Sequence, residues 1–131
     1  MINIENLILK LRTSFADEAV KKSVVDEKWL RKNNESGIDS TGFCFAASEV
    51  IYRLCGGKDK WKVMSISSKD WEFGSHYYLQ DRNSGEILDI TSDQYTEKGL
   101  TIPYQLGKGK SFRAVSRKAK NLAKAIGADL P

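Results

Sequence analysis

The sequence predicts an α+β fold, and three observations carry that prediction. Apolar residues recur every three to four positions through the first 55 residues, the repeat drops to two between 61 and 91, and it lengthens again after 111. Helical spacing that gives way to alternation and then resumes describes N-terminal helices and a central helix packed on a small antiparallel sheet, with a last helix behind them.

Each element has its own warrant. Ile4, Leu7, Ile8, Leu11 and Phe15 lie on one face of a first helix, which Asn3 can cap. A second helical stretch starts near Phe15 or Asp17 and runs to Leu30, with Ala19, Val20, Val24 and Trp29 apolar and a capping pattern at Ser23–Asp26 that allows a break. Residues 32–42 are rich in Asn, Ser, Gly and Asp and read as a loop. A third helix follows, capped by Ser40 or Thr41, with Phe43, Ala46, Ala47, Val50, Ile51 and Leu54 on its apolar face and Gly56–Gly57 as its stop. Strands are expected at Trp61–Ile66, His76–Asp81 and 86–91, the last two joined by the turn cluster Arg82-Asn-Ser-Gly85. Residues 100–104 read as extended, with Pro103 keeping them to an edge. Lys108 and Lys110 read as a solvated loop. The last helix, 111–126, places Phe112, Val115, Ala119, Leu122, Ala123 and Ile126 on one face.

Length and composition bound the rest. A chain of 131 residues, 40% hydrophobic and 29% charged, fits one domain, organised as a helical segment 1–35, a core 40–112 and a basic helix 111–127. Charged residues interrupt every apolar run short of a membrane span, and the first residues lack a secretory pattern, so a cytoplasmic protein without a membrane role is expected. Two cysteines and one histidine do not make a disulfide framework or a usual zinc site, and no cofactor or metal is implied. Cys44 and Cys55, at ~1.5 Å per helical residue, stand too far apart to bridge. Cys55 reads as packing.

The net charge of +4 is unevenly spread. Residues 104–131 carry seven Lys/Arg against Asp129, while the first 103 carry 14 basic and 16 acidic groups. Arg117, Lys120 and Lys124 on the last helix could meet an acidic protein or nucleic acid, although no aromatic residues interleave with them as a base-stacking surface requires. A solvated helix face is the plainer reading.

Chemistry concentrates on three side chains. Cys44 falls in the first turn of its helix, where free N–H groups and the macrodipole favour a thiolate. His76 opens a strand. A four-residue loop at 82–85 pairs Asp81 with Glu86 and so Tyr78 with Asp89, which puts Asp89 diagonally beside His76 on one sheet face. A helix-borne thiol, an imidazole and a carboxylate are the parts of a Cys-His-Asp triad: nucleophile, proton carrier and orienting acid. Asp93 is an alternative third member. The Cys44 amide is one candidate oxyanion donor; Gln94, Trp71 and the Ser40 and Thr41 hydroxyls are unranked candidates for a second. Tyr77, Tyr78 and Tyr95, with Trp71, could line a groove or sit in the core.

This helix-start cysteine followed by a histidine strand and an acid strand resembles the papain-like and transglutaminase-like fold. More narrowly, Gly42-Phe-Cys-Phe-Ala-Ala-Ser48, His76-Tyr-Tyr-Leu79, Gly85-Glu-Ile-Leu-Asp-Ile-Thr91 with Asp93-Gln94, and Ile102-Pro-Tyr104 resemble small uncharacterised phage and bacterial proteins with Gly-x-Cys, His-x-x-Leu, Leu-Asp-x-Thr-x-Asp-Gln and Pro-Tyr in that order. The resemblance covers residues 40–112. It implies acyl transfer at amide bonds, as in proteolysis, deamidation, transglutamination or N-acylation, on a protein or peptide. The chain departs from papain-type enzymes in having no glutamine a few residues before Cys44. The other class of function is a binding module with a degenerate triad that uses the basic helix. A phage accessory or host-directed role, in the host cytoplasm, fits either class.

Overall fold

The computed structural model describes residues 2–130. Asn3 caps α1 (Ile4–Ser14) by accepting the Asn6 amide, and Asp17 caps α2 (Glu18–Val24) by accepting those of Ala19 and Val20. The second stretch does break. Val25 is extended, and α3 (Glu27–Ser36) starts afresh after Asp26. It then runs through half of the expected 32–42 loop and stops at Gly37, which takes a left-handed φ of 70°. Its polar end is tied to the following loop by Asn33, as described for the site.

The central helix α4 (Cys44–Leu54) begins at Cys44 without a side-chain cap: Phe43 occupies that position. Ser40 and Thr41, expected to cap it, are buried and bonded elsewhere. A further short helix, α5 (Gly57–Lys60), follows the glycine stop.

Strand β1 (Trp61–Ile66) pairs antiparallel with β2 (His76–Asp81), Trp61 opposite Asp81 and Ile66 opposite His76. β2 pairs with β3 (Ile87–Leu88) in the register expected from the four-residue loop, Leu79 opposite Leu88. The ladder stops there, so residues 89–91 continue off the sheet rather than in it. The short helix α6 (Asp93–Thr96) and a 3-10 turn (Tyr104–Leu106) follow, and residues 100–104 form no strand. Lys108–Lys110, read as loop, is instead strand β4, paired with β1 through Val63 opposite Lys110. Its side chains are exposed on both faces, which is why no alternation marks it. Sheet order is β3-β2-β1-β4.

Alternation along β1 and β2 gives the sheet two different faces. Trp61, Val63 and Leu79 meet α1, α2, α4 and the last helix around the stacked rings of Phe15 and Phe43, 4.4 Å apart. Full burial of one such side chain contributes about 1.5–3 kcal/mol. The opposite face carries Ile66 and Tyr78, covered by Trp71, Tyr95 and Ile102. The last helix, α7 (Arg117–Ala125), starts six residues later than expected. Ser116 caps it and is itself pinned by buried Glu49 of α4, whose carboxylate accepts the Ser116 hydroxyl at 2.6 Å and the Arg53 Nε–H at 2.6 Å. Residues 111–116 are left to cross α4, with Phe112 edge-on to Phe45 and Tyr52. No helix among the described residues is long and apolar enough to cross a membrane.

Candidate active site

Three local features deliver Cys44. Gly42 has φ +89°, and a Cβ there would stand 2.7 Å from Val25 Cγ1 and 3.0 Å from Trp29 Cβ, so only glycine lets the loop press onto Val25 and the first turn of α3. Buried Asn33 then clamps that loop, its Nδ2 donating to the carbonyls of Asp39 and Thr41, both at 2.9 Å. Phe43 and Ala47 donate to the Ser40 and Phe43 carbonyls, but no backbone carbonyl among the described residues takes the Cys44 amide. Cys44 is half-buried and free; Cys55, at the far end of α4, is also free, and burial pushes its thiol up against a smaller opposing effect of Lys60.

His76, fully buried at the start of β2, donates Nε2–H to Asp89 Oδ2 at 2.6 Å. Asp89 has just left β3, on the face the register assigns it. The same Oδ2 accepts the Tyr104 hydroxyl at 2.7 Å, and Thr91 Oγ1 approaches Oδ1 at 3.5 Å. With Nε2 engaged, Nδ1 remains for Cys44 and for Gln94, whose Nε2 lies 3.4 Å away. Burial opposes the imidazolium, yet the hydrogen bonds of Asp89 and Cys44 and their charges outweigh it and raise His76 to about 9. Thiol and ring do not form a fully aligned hydrogen bond with each other. Tyr95 stands edge-on to the ring at 5.0 Å. Its phenol is held protonated, first by burial and then by the charges of Cys44 and Asp89, and its hydroxyl has no partner among the described residues.

Cys44 opens into a hollow of about 450 Å³ walled by Trp29, Gly42, Phe45, Gly74, Tyr77 and Gln94. A second hollow, about 430 Å³, shares Trp29 and Gln94 and adds Thr41, Phe73, Tyr95 and Leu100. Pockets of this size take a few residues of peptide or a small ligand.

The remaining candidates fall into place as follows. Gln94 reaches His76 and Thr91 and borders both hollows. Trp71 packs on Tyr95 at 4.4 Å and borders neither hollow. Thr41 faces the second hollow, bonded to Ser36. Asp93 is bound by Ser40 at 2.5 Å and Arg12 at 3.2 Å, away from the ring, so it is not the acid on His76. Tyr77 borders the first hollow and Tyr78 is core. Arg117, Lys120 and Lys124 are exposed with no acidic partner among the described residues, while Lys118 of the same helix pairs with Asp26 at the rim of the first hollow.

Sequence reasoning missed Asn33, Trp29 and Tyr104. Asn33 and Trp29 are four residues apart on α3 and so share a face, a signal hidden by reading 32–42 as loop. Tyr104 was visible only as part of a motif. No family model matches this chain, and no curated protein or solved structure does.

Proposed function

We propose that this chain is a thiol-dependent acyl-transfer enzyme acting on amide bonds, built on a papain- or transglutaminase-like core. The observation that carries the reading is a buried imidazole held between a carboxylate at 2.6 Å and a helix-start cysteine that opens into a hollow. In this reading Cys44 Sγ attacks the amide carbon, forming an S–C bond as the carbonyl π pair moves to oxygen. Collapse breaks the C–N bond, and the amine leaves with the His76 proton. Water or a second amine then attacks the thioester, gives its proton to His76 and restores the thiol side chain. Asp89, fixed by Tyr104, keeps the ring oriented with Nδ1 toward sulfur. The surface hollow between α3 and residues 68–75 suits a protein or peptide substrate.

The test is iodoacetamide alkylation followed by mass spectrometry across pH, in wild type and His76→Ala, with Cys55 as internal control. Fast alkylation of Cys44 at about pH 6, slowed by the substitution, is the expected result. Cys44 that reacts no faster than an ordinary thiol, whatever stands at 76, would refute it. Arg117, Lys120 and Lys124, exposed and without an acidic partner among the described residues, favour a second reading, an acidic-protein or nucleic-acid binding module. That reading requires binding that weakens steeply with salt and with neutralisation of these three residues.

A further inference from the structure

We propose that the substrate presents an acidic side chain beside the amide that Cys44 attacks, and that Lys28 and Lys32 select it. The inference rests on reading Cys44 as the nucleophile, and it names the class of peptide that this site takes. Lys28 and Lys32 stand four residues apart on α3, so they share a helix face, and both border the hollow into which Cys44 opens. Each is exposed, and neither has an acidic partner among the described residues. Lys32 Nζ lies 4.4 Å from the centre of the Trp29 ring, a contact that holds the ammonium at the wall without cancelling its charge.

These positions work against the helix that carries them. Like charges at i and i+4 repel, and Lys28 lies in the first turn, where the macrodipole disfavours a cation. Formation of α3 gains nothing from the pair, whereas a carboxylate in the hollow meets both charges. The other charged groups of the rim do not cancel them. Lys118 and Asp26 neutralise each other at 2.6 Å, which leaves exposed Glu72 as the single acid against two cations among the lining residues. A peptide that enters meets a positive field, which favours Asp or Glu next to the attacked amide and disfavours Lys or Arg. A nucleic acid has the same sign of charge, but its backbone offers Cys44 no amide carbon.

Three iodoacetyl tripeptide amides, Glu-Gly-Glu, Gln-Gly-Gln and Lys-Gly-Lys, test the selection. Each alkylates a thiolate by forming an S–C bond and releasing iodide. Their rates at Cys44, read by mass spectrometry, are divided by their rates with 2-mercaptoethanol. At low salt the Glu peptide should exceed the Lys peptide about tenfold by this measure, with the Gln peptide between them, and about 0.5 M salt should erase most of the difference. Lys28→Gln combined with Lys32→Gln should remove most of the preference, and Glu72→Gln should increase it. A wild-type ratio near one, or a preference that survives the double substitution, overturns the proposal. So does stronger protection of Cys44 from iodoacetamide by a thymidine trinucleotide than by acetyl-Glu-Gly-Glu amide, which carries the same two negative charges, because nucleic acid is then the better occupant. Wild-type Cys44 inert to iodoacetamide would instead bring down the nucleophile reading itself, so the two failures are told apart.

Discussion

Replacing Asp89 with Asn should lower the titration midpoint of His76, and the size of the change follows from the site. His76 rises from 6.5 to about 9 although burial pulls the other way, so the favourable contributions of Asp89 and Cys44 exceed the burial penalty. At 1.36 kcal/mol per pH unit the net rise corresponds to about 3 kcal/mol in favour of the charged ring. Because the chain has one histidine, its ring C–H protons form a single pair in an NMR titration. Wild type should titrate near 9, and Asp89→Asn at least about one pH unit lower. Adding Cys44→Ala removes the remaining charge beside the ring, and the midpoint should fall further. Between the unfolded value of 6.5 and the folded value of about 9 the native wild-type chain holds more protons at His76 than the unfolded one. The stability contributed by His76 is therefore fully present below about pH 6.5 and lost as pH rises through the folded midpoint. A wild-type midpoint near 6.5, or one that Asp89→Asn leaves in place, would refute the argument.

Three further outcomes are expected. Gly42→Ala should cost about 2 kcal/mol in urea unfolding, and more than Gly85→Ala, whose φ is also positive but whose Cβ would meet nothing within 4 Å; equal costs would remove the close approach to Val25 and Trp29 as the reason for Gly42. Glu49→Ala should cost about 3 kcal/mol and speed amide exchange throughout α7, since it frees Ser116 and leaves Arg53 without its carboxylate; unchanged exchange in α7 would contradict the capping argument. Asp81, held down at about 2 by Lys60 first and then by the Ser84 and Asn83 amides, stabilises the fold above its ordinary 3.8 and ceases to as pH falls through about 2. The stability gap between wild type and Asp81→Asn should shrink over that range, and a constant gap would argue against the Lys60 pairing.

Some of this architecture is written in local pattern. The bounds of β1 and β2 follow from alternation, because successive side chains of a strand must face opposite ways. The even loop at 82–85 places Asp89 on the His76 face by the same geometry. Gly42 belongs with Cys44 because of a positive φ that glycine alone adopts cheaply. Other features leave no periodic trace. β4 has no apolar face, since backbone pairing with β1 is all that makes it a strand. The polar end of α3 looked like loop because Asn33 is spent on the carbonyls of Asp39 and Thr41. The late start of α7 depends on Glu49, 67 residues before Ser116.

The sequence by itself determined the α+β class, the central helix with Cys44 in its first turn and the shared face of His76 and Asp89, because helical and strand periods are properties of the local backbone. Only the tertiary structure decided that Asp93 is taken by Arg12 and Ser40, that Tyr104 joins Asp89, that Trp29 walls the hollow and that Gln94 meets Nδ1. Each of those pairings joins segments distant in the chain, and hydrogen bonds between such segments are selected by how the packed layers meet, which no local repeat records.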